Sequence, residues 1–325
     1  MTDAPSPFIE YTNIQFAFDS TSLGDFKKCP RYYQYTMIEG WQPKDDNIHL
    51  RFGIEYHQAL HDYELAKWTD MSHDEAVEVA VYQLLSRIST WDLDTTSKIA
   101  QKKNKHTLLR AVVWYLDKFK NDPAQTVEHL GKPALEVSFR WELDYGPQSI
   151  PETRHSDTKK GIVPDQHYVL CGHLDRIVNL NDDLYIMDRK TASSSLTSYY
   201  FSQFEPNNQM SLYSLAGQVV LKTPVKGVII DAVQVKDEPE YQRSMTYRSP
   251  DQLTEWLLDL RDTLAYAERC AVNAYWPQND TACTMYGGCR FKGVCSSSPA
   301  VRQRFLEADF VQKPKEQRWN PLANR

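Results

Sequence analysis

The sequence has 325 residues, 41% hydrophobic and 25% charged, with a net charge of −6. That balance fits a globular chain with a sizeable core and excludes a fibrous or low-complexity one. No apolar run approaches the ~18 residues of a membrane span, and the opening MTDAPSPFIEYTN lacks a basic segment followed by an apolar one. No membrane segment or signal peptide is therefore expected, and the negative balance means that nucleic-acid contact would need a local basic groove.

Residues 1 to 20 read as extended and peripheral. In TSLGDFKKCPRYYQY, Ser22 is placed to cap a short helix through Phe26 and Lys28. Pro30 interrupts or restarts that helix, and Tyr32, Tyr33 and Tyr35 suit core packing. Residues 52 to 68 look helical, with Tyr56, Leu60 and Tyr63 at helical spacing. His57 and His61 lie one turn apart there, a spacing that serves a metal or a pair of satisfied surface histidines. Residues 73 to 90 and 106 to 120 are further helices, the second with a stripe of Leu109, Val112, Val113, Leu116 and Phe119. The polar stretch between them carries Lys98, Lys102, Lys103 and Lys105. It reads as a solvated loop, with phosphate contact as the alternative.

Residues 134 to 142 alternate like a strand and carry Glu136; 146 to 161 form a polar, mobile loop. The stretch 170 to 191, LCGHLDRIVNLNDDLYIMDRKT, is two strands joined at Asn181-Asp182-Asp183. Asp175 lies in the first strand and Asp188 in the second, each among apolar residues. Lys190 follows Asp188 by two positions and so shares its face. Two carboxylates and an ammonium on one buried face call for a metal or phosphate; an ion pair on an exposed hairpin face is the ordinary alternative. Ser193 to Phe204 is a loop or short helix. Pro206 and Asn207 open a helix through Leu221, with Gln209 and Tyr213 one turn apart and Met210, Leu215 and Val219 available to the core. Residues 227 to 235 form a strand buried on both faces, and a capping box at Ser249–Gln252 starts a helix to about Arg269. The element order implies an α/β fold with a mixed sheet and a helical insert.

Cys283, Cys289 and Cys295 fall in thirteen residues with five between neighbours. Without a secretion signal, metal binding is the better reading than disulfides. Cys29 is the first candidate for a fourth ligand and Cys270 the second, while Cys171 suits packing. Thiolates without histidine suit zinc or iron–sulfur, and the absence of two-residue knuckles tilts the choice to 4Fe–4S.

In this order the pieces resemble the RecB-like branch of the PD-(D/E)XK nucleases, which includes the AddB-type nuclease domain and CRISPR-associated iron–sulfur exonucleases; phages also carry members. The resemblance rests on S-L-x-x-F-x-x-C-P-x-x-Y-x-Y from Ser22 to Tyr35, G-x-x-x-H from Gly53 to His57 and G-x-x-D-R from Gly172 to Arg176. It continues with D-x-K-T from Asp188 to Thr191, Q-x-x-x-Y from Gln209 to Tyr213, and the terminal thiols. This chain departs from it in the five-residue first cysteine gap, often two in relatives, and in Arg189, often Tyr.

The resemblance implies one elaborated nuclease domain over 1–325. Within it lie a helical insert at 57–130, a restriction-endonuclease-like catalytic core at 170–236, and a metal-binding segment at 270–298 closing onto Cys29. It implies that His57, Asp175 and Asp188 hold Mg²⁺ or Mn²⁺, with Glu136 as a further acid. Lys190 would act on the attacking water, and Gln209 and Tyr213 would position the lysine and DNA. Cys29, Cys283, Cys289 and Cys295 would hold a 4Fe–4S cluster, with Zn²⁺ as the alternative. The implied activity is a cytoplasmic DNA exonuclease acting on single strands or duplex ends in recombination, repair or CRISPR adaptation, in a bacterial or phage-infected cell, with a possible helicase, integrase or recombination partner and no membrane. The alternative is a nuclease-fold DNA-binding or assembly module with little activity.

Overall fold

The computed structural model describes residues 4–44, 48–91, 102–148, 166–285 and 288–323. The expectations for Lys98 and for most of the 146–161 loop lie outside the described residues. The chain forms two compact units, one of Met1–Asp45, Ser138–Gly172 and Pro250–Arg325, the other of Asp46–Val137 and His173–Ser249.

In the first unit, the helix Ser20–Lys28 begins one turn earlier than the sequence implied. Asp19 is its cap, and Ser22 is the third residue of a reciprocal capping box. Cys29 leaves the helix in extended geometry, and Pro30 starts a second helix, Pro30–Tyr33, where its missing N–H is harmless. The N-terminal stretch is not peripheral, because Ile9 and Ile14 pack with Phe26, Tyr33, Cys270 and Trp276 in a buried cluster. Ala17 and Phe18 pair in parallel with Val169 and Leu170. A second cluster joins Cys29, Tyr32, Tyr35 and Trp41 to Phe291, Val294 and Phe310, with the Phe291 and Phe310 rings stacked at 4.6 Å.

The second unit is a mixed sheet with helices. Val169–Leu180 runs antiparallel to Asp183–Ala192, in the register Arg176 opposite Met187. The turn between them needs positive φ at both central residues, and Asn181 and Asp182 supply 54° and 65°. Asp183–Ala192 pairs in parallel with Gly227–Gln234, which pairs antiparallel with Glu240–Thr246. That last strand has a half-exposed, polar pattern, so its sequence carries no apolar alternation to announce it.

Three helices, Ile48–Trp68 and the capped His73–Ile88 and Lys105–Lys118, bury Phe52, Tyr56, Leu60, Leu84, Leu108 and Val112 in one cluster with Val233 and Val235. Its stripe on the third helix is Leu108, Ala111, Val112, Tyr115 and Leu116, with Leu109 and Phe119 only partly buried. The helix Asn208–Leu221 is capped by Asn207 through the amides of Gln209 and Met210. It buries Met210, Leu212, Tyr213, Ala216 and Gly217, whereas Val219 is exposed. A Cβ at Gly217 would stand 2.7 Å from Ile186 Cδ1 and 3.0 Å from Val225 Cγ2. Gly217→Val is therefore expected to lower unfolding stability by about 1–3 kcal/mol through overpacking. The check is urea denaturation, and an unchanged midpoint would contradict this close approach.

Candidate active site

The hairpin carries Asp175 on its first strand and Asp188 on its second. Asp175 Oδ2 accepts the Arg189 backbone N–H at 2.9 Å and lies 3.3 Å from His57 Nδ1. One oxygen thus ties the two hairpin strands to the helix that carries His57. Gly53, one turn before His57, faces the end of the second hairpin strand; a Cβ there would meet Thr191 Oγ1 at 3.7 Å.

Glu136 reaches this place by an unusual route. Ala134 accepts the Ile177 N–H at 2.9 Å, which fixes the start of the strand Leu135–Glu142 beside Asp175's strand. Glu136 itself has φ 46°, in the left-handed region that residues with a Cβ avoid. Such strain persists where surrounding structure demands it, and it gathers at functional sites. One donor atom each from His57, Glu136 and Asp175 lies within 4.8 Å of the others.

Asp188 is not in that trio. Its carboxylate, 2% exposed, contacts the Lys190 ammonium at 2.6 Å. Lys190 Nζ also donates to Gln209 Oε1 at 2.9 Å, and Gln209 Nε2 donates to the Tyr213 hydroxyl at 3.1 Å. The D-x-K and Q-x-x-x-Y positions form one relay, since residues four apart on a helix stand on the same face. His61 stands apart, beside Gln58 and Asp62 on the helix surface.

Burial pushes the Asp188 carboxyl up to about 6; Lys190 pulls it down and Asp175 pushes it further up. Burial lowers the His57 pKa against the opposing pull of Asp175, although 28% of its side chain stays open. A neutral imidazole keeps a nitrogen lone pair for a cation. Tyr200, which the sequence did not single out, is pushed up to about 12 by burial, with the charge of Asp188 adding to it.

One imidazole nitrogen and two carboxylate oxygens form a donor set that fits a small divalent ion. Neighbouring ligands around octahedral Mg²⁺ at ~2.1 Å stand roughly 3 Å apart and opposite ones roughly 4.2 Å apart, so a small contraction of the 4.8 Å trio closes on one. The nitrogen shifts preference toward Mn²⁺.

In the first unit, Cys29, Cys283, Cys289 and Cys295 line one small void with Lys28, Tyr32 and Phe291. Cys29 Sγ accepts the Asn279 N–H at 3.3 Å, and Cys289 N–H donates to the Cys283 carbonyl at 3.1 Å. Cys171 and Cys270 are buried in other clusters. All six cysteines are unbridged.

No helix among the described residues is long and apolar enough to cross a membrane. The chain is similar to a solved structure from Eubacterium rectale provisionally described as an exonuclease, at 10% identity over 87% of this chain and 89% of that one, with a TM-score of 0.48. It is also similar to the solved protein SSO0001, at 14% identity over 77% and 76%, with a TM-score of 0.30. No curated protein matches the sequence. The family description "PD-(D/E)XK nuclease superfamily" matches residues 20–296, most of the chain. The chain belongs to the PD-(D/E)XK nuclease superfamily.

Proposed function

We propose that the protein is a metal-dependent DNA exonuclease of the RecB-like branch, acting on single strands or duplex ends. The observation that carries this reading is the trio His57, Glu136 and Asp175 within 4.8 Å, beside the Asp188–Lys190–Gln209–Tyr213 relay. His57, Asp175 and Asp188 would hold Mg²⁺ or Mn²⁺, with Glu136 completing the set. A divalent ion there supplies Lewis-acid polarisation of the phosphodiester and lowers the pKa of the attacking water.

Hydrolysis adds water's oxygen to phosphorus, breaks the bond to the leaving sugar oxygen and moves one proton onto that oxygen. Lys190, held between Asp188 and Gln209, orients the water and offsets the negative charge that grows on the phosphoryl oxygens. Gln209 and Tyr213 keep the ammonium in place and contact the DNA backbone. A role in recombination, repair or CRISPR adaptation, with a helicase or integrase partner, belongs to the same proposal and rests only on the resemblance to the RecB-like branch.

The test uses end-labelled single- and double-stranded DNA with a covalently closed circle alongside. Labelled mononucleotides are expected from the linear DNA with Mn²⁺ and none with EDTA, while the circle stays intact. Nicking of the circle would replace exonuclease by endonuclease; no hydrolysis of any substrate would end the enzyme reading. Glu136→Gln is expected to weaken Mn²⁺ binding about tenfold or more, measured by calorimetry without DNA; unchanged affinity would remove Glu136 from the set.

The four thiols are assigned a 4Fe–4S cluster, with Zn²⁺ as the alternative. The absence of two-residue knuckles is what tilts the choice away from zinc. The void the four thiols line is only about 10 Å³, room for about one water, so a cluster requires the thiols to spread. Brown, anaerobically purified protein absorbing near ~400 nm is expected, with the band lost in Cys289→Ser. Colourless protein with one zinc per chain would reverse the assignment.

A further inference from the structure

The mechanism leaves unused a pocket at one end of the second unit's sheet. It measures about 420 Å³, and its walls include Trp114, Asp117, Lys118, Leu196, Glu240 and Gln242, a size within the ~300–1,000 Å³ of ordinary ligand sites. Solvent reaches it, because Trp114 is 45% exposed and Lys118, Glu240 and Gln242 are exposed as well. An indole left half open beside a cavity presents a flat apolar face, and the Gln242 amide carries two donors and an acceptor. Each of the two acids in the walls has a lysine partner: Asp117 lies 4.0 Å from Lys120, and Glu240 pairs with Lys236. Lys118 instead donates to the neutral Tyr241 carbonyl at 3.1 Å and pairs with no carboxylate among the described residues. The pocket is therefore locally positive in a chain whose net charge is −6.

Strand register puts this pocket close to Lys190. Lys190 stands opposite Ala232, and Ala232 opposite Gln242. Two inter-strand steps of ~4.8 Å thus separate the backbones of Lys190 and Gln242, about 10 Å in all. The parallel strands Asp183–Ala192 and Gly227–Gln234 both end here, and open α/β sheets take ligands at the carboxyl ends of their strands. A surface path joins the two places. Ser193, Ser194 and Ser195 are exposed and lead from the end of Lys190's strand to Leu196 in the pocket wall. A stacked strand advances ~3.4 Å per phosphate, so ~10 Å is about three nucleotides.

Resting on the nuclease reading for its substrate, we propose that the Trp114 pocket is a nucleobase subsite, which holds an unpaired base about three nucleotides from the scissile bond. Its three features match the three parts of a nucleotide. The base face stacks on the indole, the base edge meets the Gln242 amide, and the backbone phosphate passes the Lys118 ammonium. A base inside a duplex has its faces covered by its neighbours and cannot enter, so the pocket selects a single strand.

The test is fluorescence anisotropy of a labelled oligothymidylate of about eight nucleotides, with EDTA present so that no hydrolysis is involved. Trp114→Ala is expected to weaken binding about tenfold, the worth of one stacked base, with the slope of log affinity against log salt unchanged, whereas Lys118→Met should shrink that slope by about 0.7. Trp114→Phe should retain most of the affinity. A scan with oligonucleotides lacking one base each should find one position at which the wild type loses affinity and Trp114→Ala does not, and blunt duplex should bind both proteins equally. An unchanged urea midpoint shows that Trp114→Ala is folded, as its exposure leads one to expect. Wild-type affinity in folded Trp114→Ala, or an equal response of both proteins to every missing base, overturns the subsite. The expected pattern in a protein that hydrolyses nothing with Mn²⁺ leaves the subsite standing and removes only the nuclease reading.

Discussion

Lys190→Ala should bind single-stranded DNA as tightly as the parent and hydrolyse it roughly 10³–10⁴ times more slowly, the range for a group that combines proton management with charge stabilisation. Two losses combine. The first is the ammonium itself, fixed at 2.9 Å from Gln209 Oε1 and 2.6 Å from Asp188 Oδ2. The second falls on Asp188. Burial already pushes this carboxyl up to about 6, and Lys190 is the group that pulls it down. Without Lys190 the carboxyl moves further up and is protonated over more of the neutral range, so it serves a cation less well. Because Asp188 can take up a proton, the fold should lose little stability from the substitution. Gln209→Ala separates the two losses, because it leaves the Lys190–Asp188 contact and removes only the amide; a smaller fall, about tenfold to a hundredfold, is expected. Single-turnover cleavage with Mn²⁺ and anisotropy with EDTA are the measurements. Parental rates in Lys190→Ala would move the reaction centre away from this hairpin.

Much of this site could be read from the chain because it is local. Asn181-Asp182 declares a tight turn, and the apolar runs on either side set the strands, so spacing places Asp175, Asp188 and Lys190 on the hairpin, while their roles come from the resemblance. The Asn207 cap and the four-residue step between Gln209 and Tyr213 are equally local. What escaped depends on events distant in sequence. The resemblance alone names Glu136 beside His57 and Asp175; its left-handed backbone inside a strand is announced by no periodicity. The two-residue step that puts Asp188 and Lys190 on one face also fits their contact at 2.6 Å, and in this it belongs with the local features. Lys103 stood in a run of polar residues that suggested solvation, but the aromatic ring that receives it lies on another helix. The strand Glu240–Thr246 is half exposed and polar, so it lacks the alternation that identifies strands. An Asp in the otherwise apolar run GVIIDAVQV was a signal of a different kind, since a lone acid in a buried strand demands a buried partner.

That residue, Asp231, should be the most damaging single position for stability in the second unit. It is 2% exposed and sits in a layer of alternating charge on the sheet. The Tyr115 hydroxyl donates to its Oδ2, and Arg243 Nε lies 3.2 Å from its Oδ1. Arg243 also donates to Asp122 at 2.6 and 2.8 Å. Asp122 meets Arg176 at 3.2 Å, Arg176 meets Glu64 at 3.1 Å, and Glu64 lies 3.8 Å from Arg189. Three guanidinium groups thus face three carboxylates, and the buried layer is neutral. Asp231→Ala leaves it with one excess positive charge that cannot be shed, because arginine does not deprotonate in proteins. Removing one partner of such a pair is expected to destabilise by about 3–5 kcal/mol, against about 1 kcal/mol for an ordinary lost hydrogen bond. Asp231→Asn still accepts from Tyr115 but loses the charge, so it should fall between the parent and Asp231→Ala. Asp231→Ala combined with Arg243→Met restores neutrality, and part of the loss should return as a favourable coupling in urea denaturation. The damage should also reach catalysis. Arg189, opposite Asp231 across the parallel strands, carries the backbone N–H that holds Asp175, and a shifted strand would loosen the metal trio. If instead the double variant is as unstable as the sum of its parts, charge balance is not what the layer provides. Asp231 would then matter only for its packing and its bond to Tyr115.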